Sequence, residues 1–257
     1  MKSLKFTIII FTLLLASYNS AQSKKGYKLV WQDNFCGKQI DTTAWTHEVS
    51  NPGWVNNELQ YYTNGKNSRV HRGKLLITAR YENNEYSSSR LITRNKKIFN
   101  SGIVEVKAKL PKGNGTWPAI WMLGNNIDEV NWPACGELDI MEHVGRVPGL
   151  IHSSIHNNSG YGATPYSGKL NIDQPYSKFH VYGMKWDNDS ITFYVDGRKI
   201  YNYHPQPKDS NNWPFDKPAY LILNIAIGGT WGGEVDNSIF PTNMTIDYVR
   251  VYQKNTK

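Results

Sequence analysis

The segment Gly136-Glu137-Leu138-Asp139-Ile140-Met141-Glu142-His143 carries three carboxylates within six residues, interleaved with Leu, Ile and Met. Those apolar neighbours make it a buried or half-buried strand rather than a solvated acidic loop. Carboxylates are costly in such a place unless they are paired, bound to a metal or used in chemistry. Side chains alternate faces along a strand, so Glu137 and Asp139 share a face that Met141 would complete, while Glu142 points away. One extra residue between Asp139 and Glu142 brings Glu142 back, and β-bulges, which supply such a residue, often sit beside active sites. The segment is either a bulged acidic strand with a purpose, with Met141 the candidate extra residue, or a strand with two inward acids and one unrelated Glu.

The rest of the chain has the periodicity of strands. Residues 27–35 (YKLVWQDNF), 74–80 (KLLITAR), 89–93 (SRLIT), 117–123 (WPAIWML) and 244–253 (MTIDYVRVYQ) read as strands. In 102–110, Val104, Val106, Ala108 and Leu110 fall on one face and Ile103, Glu105, Lys107 and Lys109 on the other. Asp196-Gly197 between 190–195 and 198–203 predicts a hairpin. The apolar run 220–227 (YLILNIAI) predicts a central strand. Residues 40–48 suggest a helical turn capped by Asp41 or Thr42, and 56–62 a polar, aromatic loop. With no long helical period, repeat or linker, the chain is expected to be one all-β domain, a sandwich of antiparallel sheets.

The N-terminus has the form of a secretory leader. Lys2 and Lys5 precede an apolar stretch over 6–16, and Ser17, Ser20 and Ala21 follow, placing cleavage near Ala21-Gln22. The leader is residues 1–21 and the mature domain 22–257. The apolar stretch is short for a membrane span, so a soluble, exported, monomeric protein is expected. Removing Lys2 and Lys5 lowers the formal charge from +8 to +6. The remaining Lys and Arg are scattered, which does not suit nucleic acid. Cys36 and Cys135 allow one disulfide and show no zinc-finger spacing. Nine Trp and sixteen Tyr are many for a polar chain of 257 residues, which suits rings exposed to stack on ligands as well as rings in a core.

Two carboxylates about 5–5.5 Å apart are the equipment of a retaining glycosidase. On an extended strand the Cα atoms of Glu137 and Glu142 lie about 16 Å apart, so the strand must shorten and the side chains must lean together. Asp139 between them would help separate their pKa values, leaving one Glu protonated and one ionised. The rivals are Ca²⁺ held by the acids with His143, for which strand-borne acids are poorly placed, and acids on a solvated sheet. No G-x-S-x-G occurs, which disfavours a serine hydrolase.

Residues 136–142 resemble the bulged E-x-D-x-x-E signature of glycoside hydrolase family 16. Residues 29–35, 56–63 (NNELQYYT), 89–91, 108–111, 117–124 (WPAIWMLG), 213–216, 223–233 and 247–253 (DYVRVYQ) are similar to the corresponding blocks of its bacterial laminarinases. The resemblance implies a concanavalin-like β-jelly roll with a substrate cleft on its concave sheet. It implies hydrolysis of internal β-1,3-glucosidic bonds with retention. By position, Glu137 is the nucleophile, Asp139 the assisting acid and Glu142 the general acid/base. Trp117, Trp121 and Trp132 would stack on sugar rings, Asn57 and Arg90 would bind hydroxyls, His156 and His152 would sit near the acid/base, and Trp231 at the cleft edge. Trp117 and Trp121 are four residues apart and share a side, which fits a platform or a core layer equally. Catalysis would need no cofactor. A structural Ca²⁺ would sit on the convex side against the backbone of Asn34 and Gly73 and the carboxylate of Asp247. His143 stands where Tyr is common and could tune the acid/base, and Ser101-Gly102-Ile103 replaces an aromatic-Gly-Arg. Other readings are a mixed-linkage β-1,3-1,4-glucanase, an agarase or a carrageenase of the same fold, and a non-catalytic, lectin-like carbohydrate-binding domain.

Overall fold

Alternating apolar and polar side chains give each strand one face to bury, and two sheets bury those faces against each other. The computed structural model describes residues 24–255, so the leader expected at 1–21 lies outside the described residues. One sheet runs in the order Arg198–Tyr203, Ile191–Val195, His180–Trp186, Gly102–Lys109, Thr242–Lys254, Leu75–Glu82, Glu85–Ser88 and Gln60–Tyr62. Tyr27–Asp33 also pairs with Thr242–Lys254, and Ser68–Val70 with Leu75–Glu82. The facing sheet runs Ser167–Asn171, Leu150–His156, Glu137–Glu142, Thr116–Gly124, Ala219–Ile227, Arg90–Ile92 and Thr46–Glu48, with Ile98–Phe99 added beside Ala219–Ile227. The pairing is antiparallel except between Gln60–Tyr62 and Glu85–Ser88. Hairpin neighbours, such as Ile191–Val195 with Arg198–Tyr203, alternate with sequence-distant pairs, such as Gly102–Lys109 with Thr242–Lys254, as an all-β sandwich requires.

The core lies between the sheets. Val104, Val106 and Ala108 enter it from the first sheet, and Ile120, Leu138 and Leu223 from the second. The strand Ala219–Ile227 is buried along its whole length because both its faces are covered. Leu221, Leu223, Ile225 and Ile227 face the core, while Tyr220 and Ile222 join Ile92, Leu123 and Cys135 in a smaller cluster beside Trp121. The hairpin at Asp196-Gly197 turns with φ of 49° and 76°, as a type I′ turn demands.

Some elements differ from the sequence reading. Over 40–48, Asp41 Oδ1 accepts from the Thr43 backbone N–H at 2.8 Å, which closes a turn, and the chain leaves it as the strand Thr46–Glu48 instead of a helix. Gln60–Tyr62 is a strand, entered from Asn56 and Asn57 in left-handed backbone. Leu150–His156, Ser167–Asn171 and His180–Trp186 are strands that the reading left unassigned. Cys36 is exposed and Cys135 buried, and both are free thiols.

Candidate active site

The acidic strand begins at Gly136, whose φ of +78° suits glycine and whose added Cβ would fall 2.8 Å from Phe215 and Pro214. From there Glu137–Glu142 runs between Thr116–Gly124 and Leu150–His156. The register is broken on both sides. Ile120 pairs with Met141 but the next residue, Trp121, pairs with Asp139, so Ile140 is passed over. On the other side Asp139 pairs with Ser154 and Glu142 with His152, so Ile140 and Met141 together oppose Ser153. Ile140 and Met141 both point into the core. This is the expected bulge, but it is shared by two residues, and the one passed over beside the tryptophan strand is Ile140, not Met141. Ser153 Oγ donates to the Ile140 carbonyl at 2.9 Å and ties the bulge to its neighbour. Two core-facing residues in succession return Glu142 to the face of Glu137 and Asp139. The partner strand covers the same span, His152 to His156, in four steps instead of five, which shortens the separation to about 13 Å at about 3.3 Å per residue.

Each of the two glutamates has its own indole donor. Trp132 Nε1 donates to Glu137 Oε2 at 2.8 Å, and Trp117 Nε1 donates to Glu142 Oε1 at 3.0 Å. His156 Nε2 lies 3.1 Å from Asp139 Oδ2 and 3.8 Å from Glu137 Oε1. His156 is therefore beside Glu137 and Asp139, while His152 is the histidine cross-strand from Glu142. Trp231 sits edge-on to both Trp117 and His152, with ring centroids 5.4 and 4.8 Å apart, and its carbonyl accepts from Arg146.

Trp117 and Trp121 share the sheet face turned away from the core, and both are partly exposed. Trp121 Nε1 donates to Asn224 Oδ1 at 2.8 Å, Asn224 Nδ2 to the Tyr62 hydroxyl at 3.0 Å, and Gln60 Nε2 to Glu58 Oε2 at 2.8 Å. Arg90 is buried, paired with Glu48, and its guanidinium stacks between Trp54 and Trp121 at 5.0 and 4.7 Å from the ring centroids. Asn57 is exposed on the loop whose neighbour Asn56 accepts from the Thr230 N–H at the base of the Trp231 turn. His143 meets Tyr176, whose hydroxyl is 3.2 Å from His143 Nε2, so its ring faces the core side rather than the carboxylates.

Sequence reasoning passed over Trp54, Glu48 and Tyr161, and took the Glu58–Gln60–Tyr62 row for a loop. Tyr161 packs edge-on against Trp132 at 5.3 Å. The row had a signal, since Glu58, Gln60 and Tyr62 alternate in a strand-like way, whereas Trp54 and Tyr161 sit in loops without periodicity.

Burial dominates the electrostatics. It pushes Glu137 up to about 8, with the charge of Asp139 adding to the effect and His156 and the Trp132 bond opposing it. Burial also pushes Asp139 up to about 8. Glu142 is held well above the usual range by burial first and then by Asp139 and Glu137. Three acids on one desolvated strip cannot all ionise near neutral pH, so the strip retains protons that it can give and take. Burial also lowers His152 and His143 to about 4 each, which leaves both neutral.

The three positions implied for Ca²⁺ have a different character. Asp247 Oδ1 is 2.9 Å from Lys74 Nζ and Oδ2 is 3.0 Å from Lys107 Nζ. Both carboxylate oxygens already hold an ammonium group, so the donor set does not fit a divalent cation unless both lysines move.

A family model described as glycosyl hydrolases family 16 matches residues 54–250. A beta-glucanase of Rhodothermus marinus is 39% identical, with 98% of this chain and 96% of that protein covered. A glucan endo-1,3-beta-glucosidase A1 of Niallia circulans is 38% identical over 89% of this chain, which spans 38% of that longer protein. The crystal structure of a laminarinase from a Flavobacterium species superimposes with a TM-score of 0.86 at 45% identity, covering 88% of this chain and all of that one.

Proposed function

Because the chain belongs to the glycosyl hydrolases of family 16, we propose that it cleaves internal β-1,3-glucosidic bonds of laminarin-type glucans with retention of configuration. The observation that carries this reading is the bulge at Ile140–Met141, which turns Glu137, Asp139 and Glu142 to one face and leaves each Glu with a separate indole donor. The relatives named for glucan and laminarin cleavage support the substrate class.

We read the roles from the environments. The charged form of Glu137 is favoured by His156, the Trp132 N–H and Arg90. Glu142 faces the charges of both Asp139 and Glu137 and has fewer compensating partners. The partners that favour charge on Glu137 suit a nucleophile, and Glu142, raised by both neighbouring carboxylates, suits the acid. Glu142 protonates the glycosidic oxygen as Glu137 attacks the anomeric carbon and the leaving sugar departs. A water molecule then gives its proton to Glu142 and attacks the glycosyl-enzyme, which releases Glu137. Asp139, between them, raises both Glu pKa values when charged and so helps Glu142 to keep its proton. Trp117, Trp121 and Trp132 offer apolar faces to sugar rings. The same reading has the enzyme act as an exported monomer, since a polymeric glucan is met outside the cell.

Glu137→Gln should abolish laminarin hydrolysis while oligosaccharide binding persists. A product profile on laminarin, lichenan, agarose and carrageenan checks the substrate. Cleavage of lichenan with none of laminarin would overturn the β-1,3 assignment.

A further inference from the structure

Glu137, Asp139 and His156 each point one donor atom into a common space, and the three atoms lie within 4.8 Å of one another. His156 Nε2 approaches Asp139 Oδ2 to 3.1 Å and Glu137 Oε1 to 3.8 Å. Asp139 is only 3% exposed, yet its Oδ2 has no hydrogen-bond partner, and His156 Nδ1 is also buried without one. A buried carboxylate oxygen without a partner calls for an explanation. The nearest group, His156 Nε2 at 3.1 Å, is close enough but not aligned to donate to it, and Arg90 is committed to Glu48. Trp132 occupies Glu137 Oε2, which leaves Oε1, the oxygen nearer His156, free.

We propose that Glu137, Asp139 and His156 form a binding site for a divalent transition-metal ion of the Zn²⁺ or Cu²⁺ kind, and that filling it blocks the enzyme. One imidazole nitrogen with two carboxylate oxygens suits these ions. Bonds of about 2.0–2.2 Å in a tetrahedral site place ligand atoms about 3.3 Å apart; the two separations from His156, 3.1 and 3.8 Å, bracket that spacing, and the third pair lies within 4.8 Å. Ca²⁺ and Mg²⁺ need about six or more oxygens and find too few here. Three protein ligands leave a fourth position for water, and Glu137, with 18% of its side chain exposed, keeps the approach open. The blocking effect rests on Glu137 being the nucleophile, because a bound cation takes the lone pair that would attack the sugar. Metal and glucan then exclude one another.

Calorimetric titration of the full protein with ZnCl₂ in a non-coordinating buffer tests the site. One ion should bind, with affinity reduced about tenfold or more in His156→Gln and in Asp139→Asn and little changed in Glu142→Gln, whose side chain is outside the donor set. Laminari-oligosaccharide should compete, and EDTA should restore the activity that zinc removes. Equal affinity in the native protein and His156→Gln would overturn the site, as would a loss in Glu142→Gln as large as in Asp139→Asn. The heat of binding does not depend on hydrolysis, so a protein that binds zinc but leaves laminarin intact counts against the proposed function alone.

Discussion

The half-exposed indole of Trp132 donates its N–H to Glu137 Oε2 at 2.8 Å. That bond favours the ionised form of a carboxyl that burial otherwise pushes up to about 8. Trp132→Phe keeps an aromatic face for the sugar and removes only the donor. The Glu137 pKa should rise, so the acidic limb of kcat/KM moves to higher pH. A hydrogen bond to a charged group contributes about 1.5–3 kcal/mol, which corresponds to a loss of about tenfold to a hundredfold in kcat/KM. An unmoved acidic limb would show that the ring matters only for stacking.

Trp117 has the matching relation to Glu142, but the kinetic sign is different. Its N–H, 3.0 Å from Oε1, lowers a pKa that burial and Asp139 raise. In Trp117→Phe, Glu142 should hold its proton to higher pH, and the alkaline limb of the profile should move up. The two variants therefore shift opposite limbs in the same direction, and pH–rate profiles of both separate the nucleophile from the acid. If Trp117→Phe moves the acidic limb instead, the two roles are reversed.

Crowded carboxylates also weaken the fold. The folded-state pKa of Glu137 lies at about 8 against an ordinary 4.5, so the native state holds a proton that the unfolded chain has lost. Stability from this group is untouched below pH about 4.5, falls as pH rises through the interval, and levels off above pH about 8. Glu137→Gln removes the penalty. Its melting temperature should exceed that of the native protein at pH 8, by about 2–4 °C for each kcal/mol relieved, and the gain should vanish near pH 4. Melts across that range check the sign as well as the size.

Asp247 is neutralised from within the chain by Lys74 and Lys107, at 2.9 and 3.0 Å. A cation that binds the native state raises stability in proportion to its occupancy. With two ammonium groups to displace, millimolar Ca²⁺ or EDTA should shift the melting temperature by less than about 1 °C. The Lys74→Met, Lys107→Met double variant frees the carboxylate and should become calcium-responsive. A clear loss of stability in EDTA for the native protein would mean that the lysines yield to the ion.

Much of the sandwich was legible because its signals are local. Val104, Val106 and Ala108 alternate with charged residues, Asp196-Gly197 can only turn one way, and the run over Ala219–Ile227 has no face to give to water. The acids and the need for a bulge were equally plain, since the spacing of Glu137, Asp139 and Glu142 breaks a period of two. Which residue bulges was not legible, because register belongs to two partner strands at once. The pairing of Arg90 with Glu48 was hidden for the same reason, as nothing in either local sequence names the other. Leu150–His156 escaped notice through Ser153, a polar residue at a core position between Ile151 and Ile155.

Ser153 is therefore the residue whose removal best tests the bulge. It is fully buried, and its hydroxyl donates to the Ile140 carbonyl at 2.9 Å, at the point where Ile140 and Met141 share one step of the ladder. Ser153→Ala leaves that carbonyl side without its donor, at a cost of about 1–3 kcal/mol in stability. If the bond only stabilised the sheet, activity below the melting transition would be unchanged. If it sets the bulge, Glu142 loses its aim while Glu137, upstream of the bulge, keeps its own. The expected result is a fall in kcat with KM little altered, since the indoles that hold the sugar stay in place. Activated aryl glycosides, which need little help from an acid, should recover most of the loss. An equal loss on activated and natural substrates would place the defect at Glu137 instead, and would count against the bulge as the device that positions the acid.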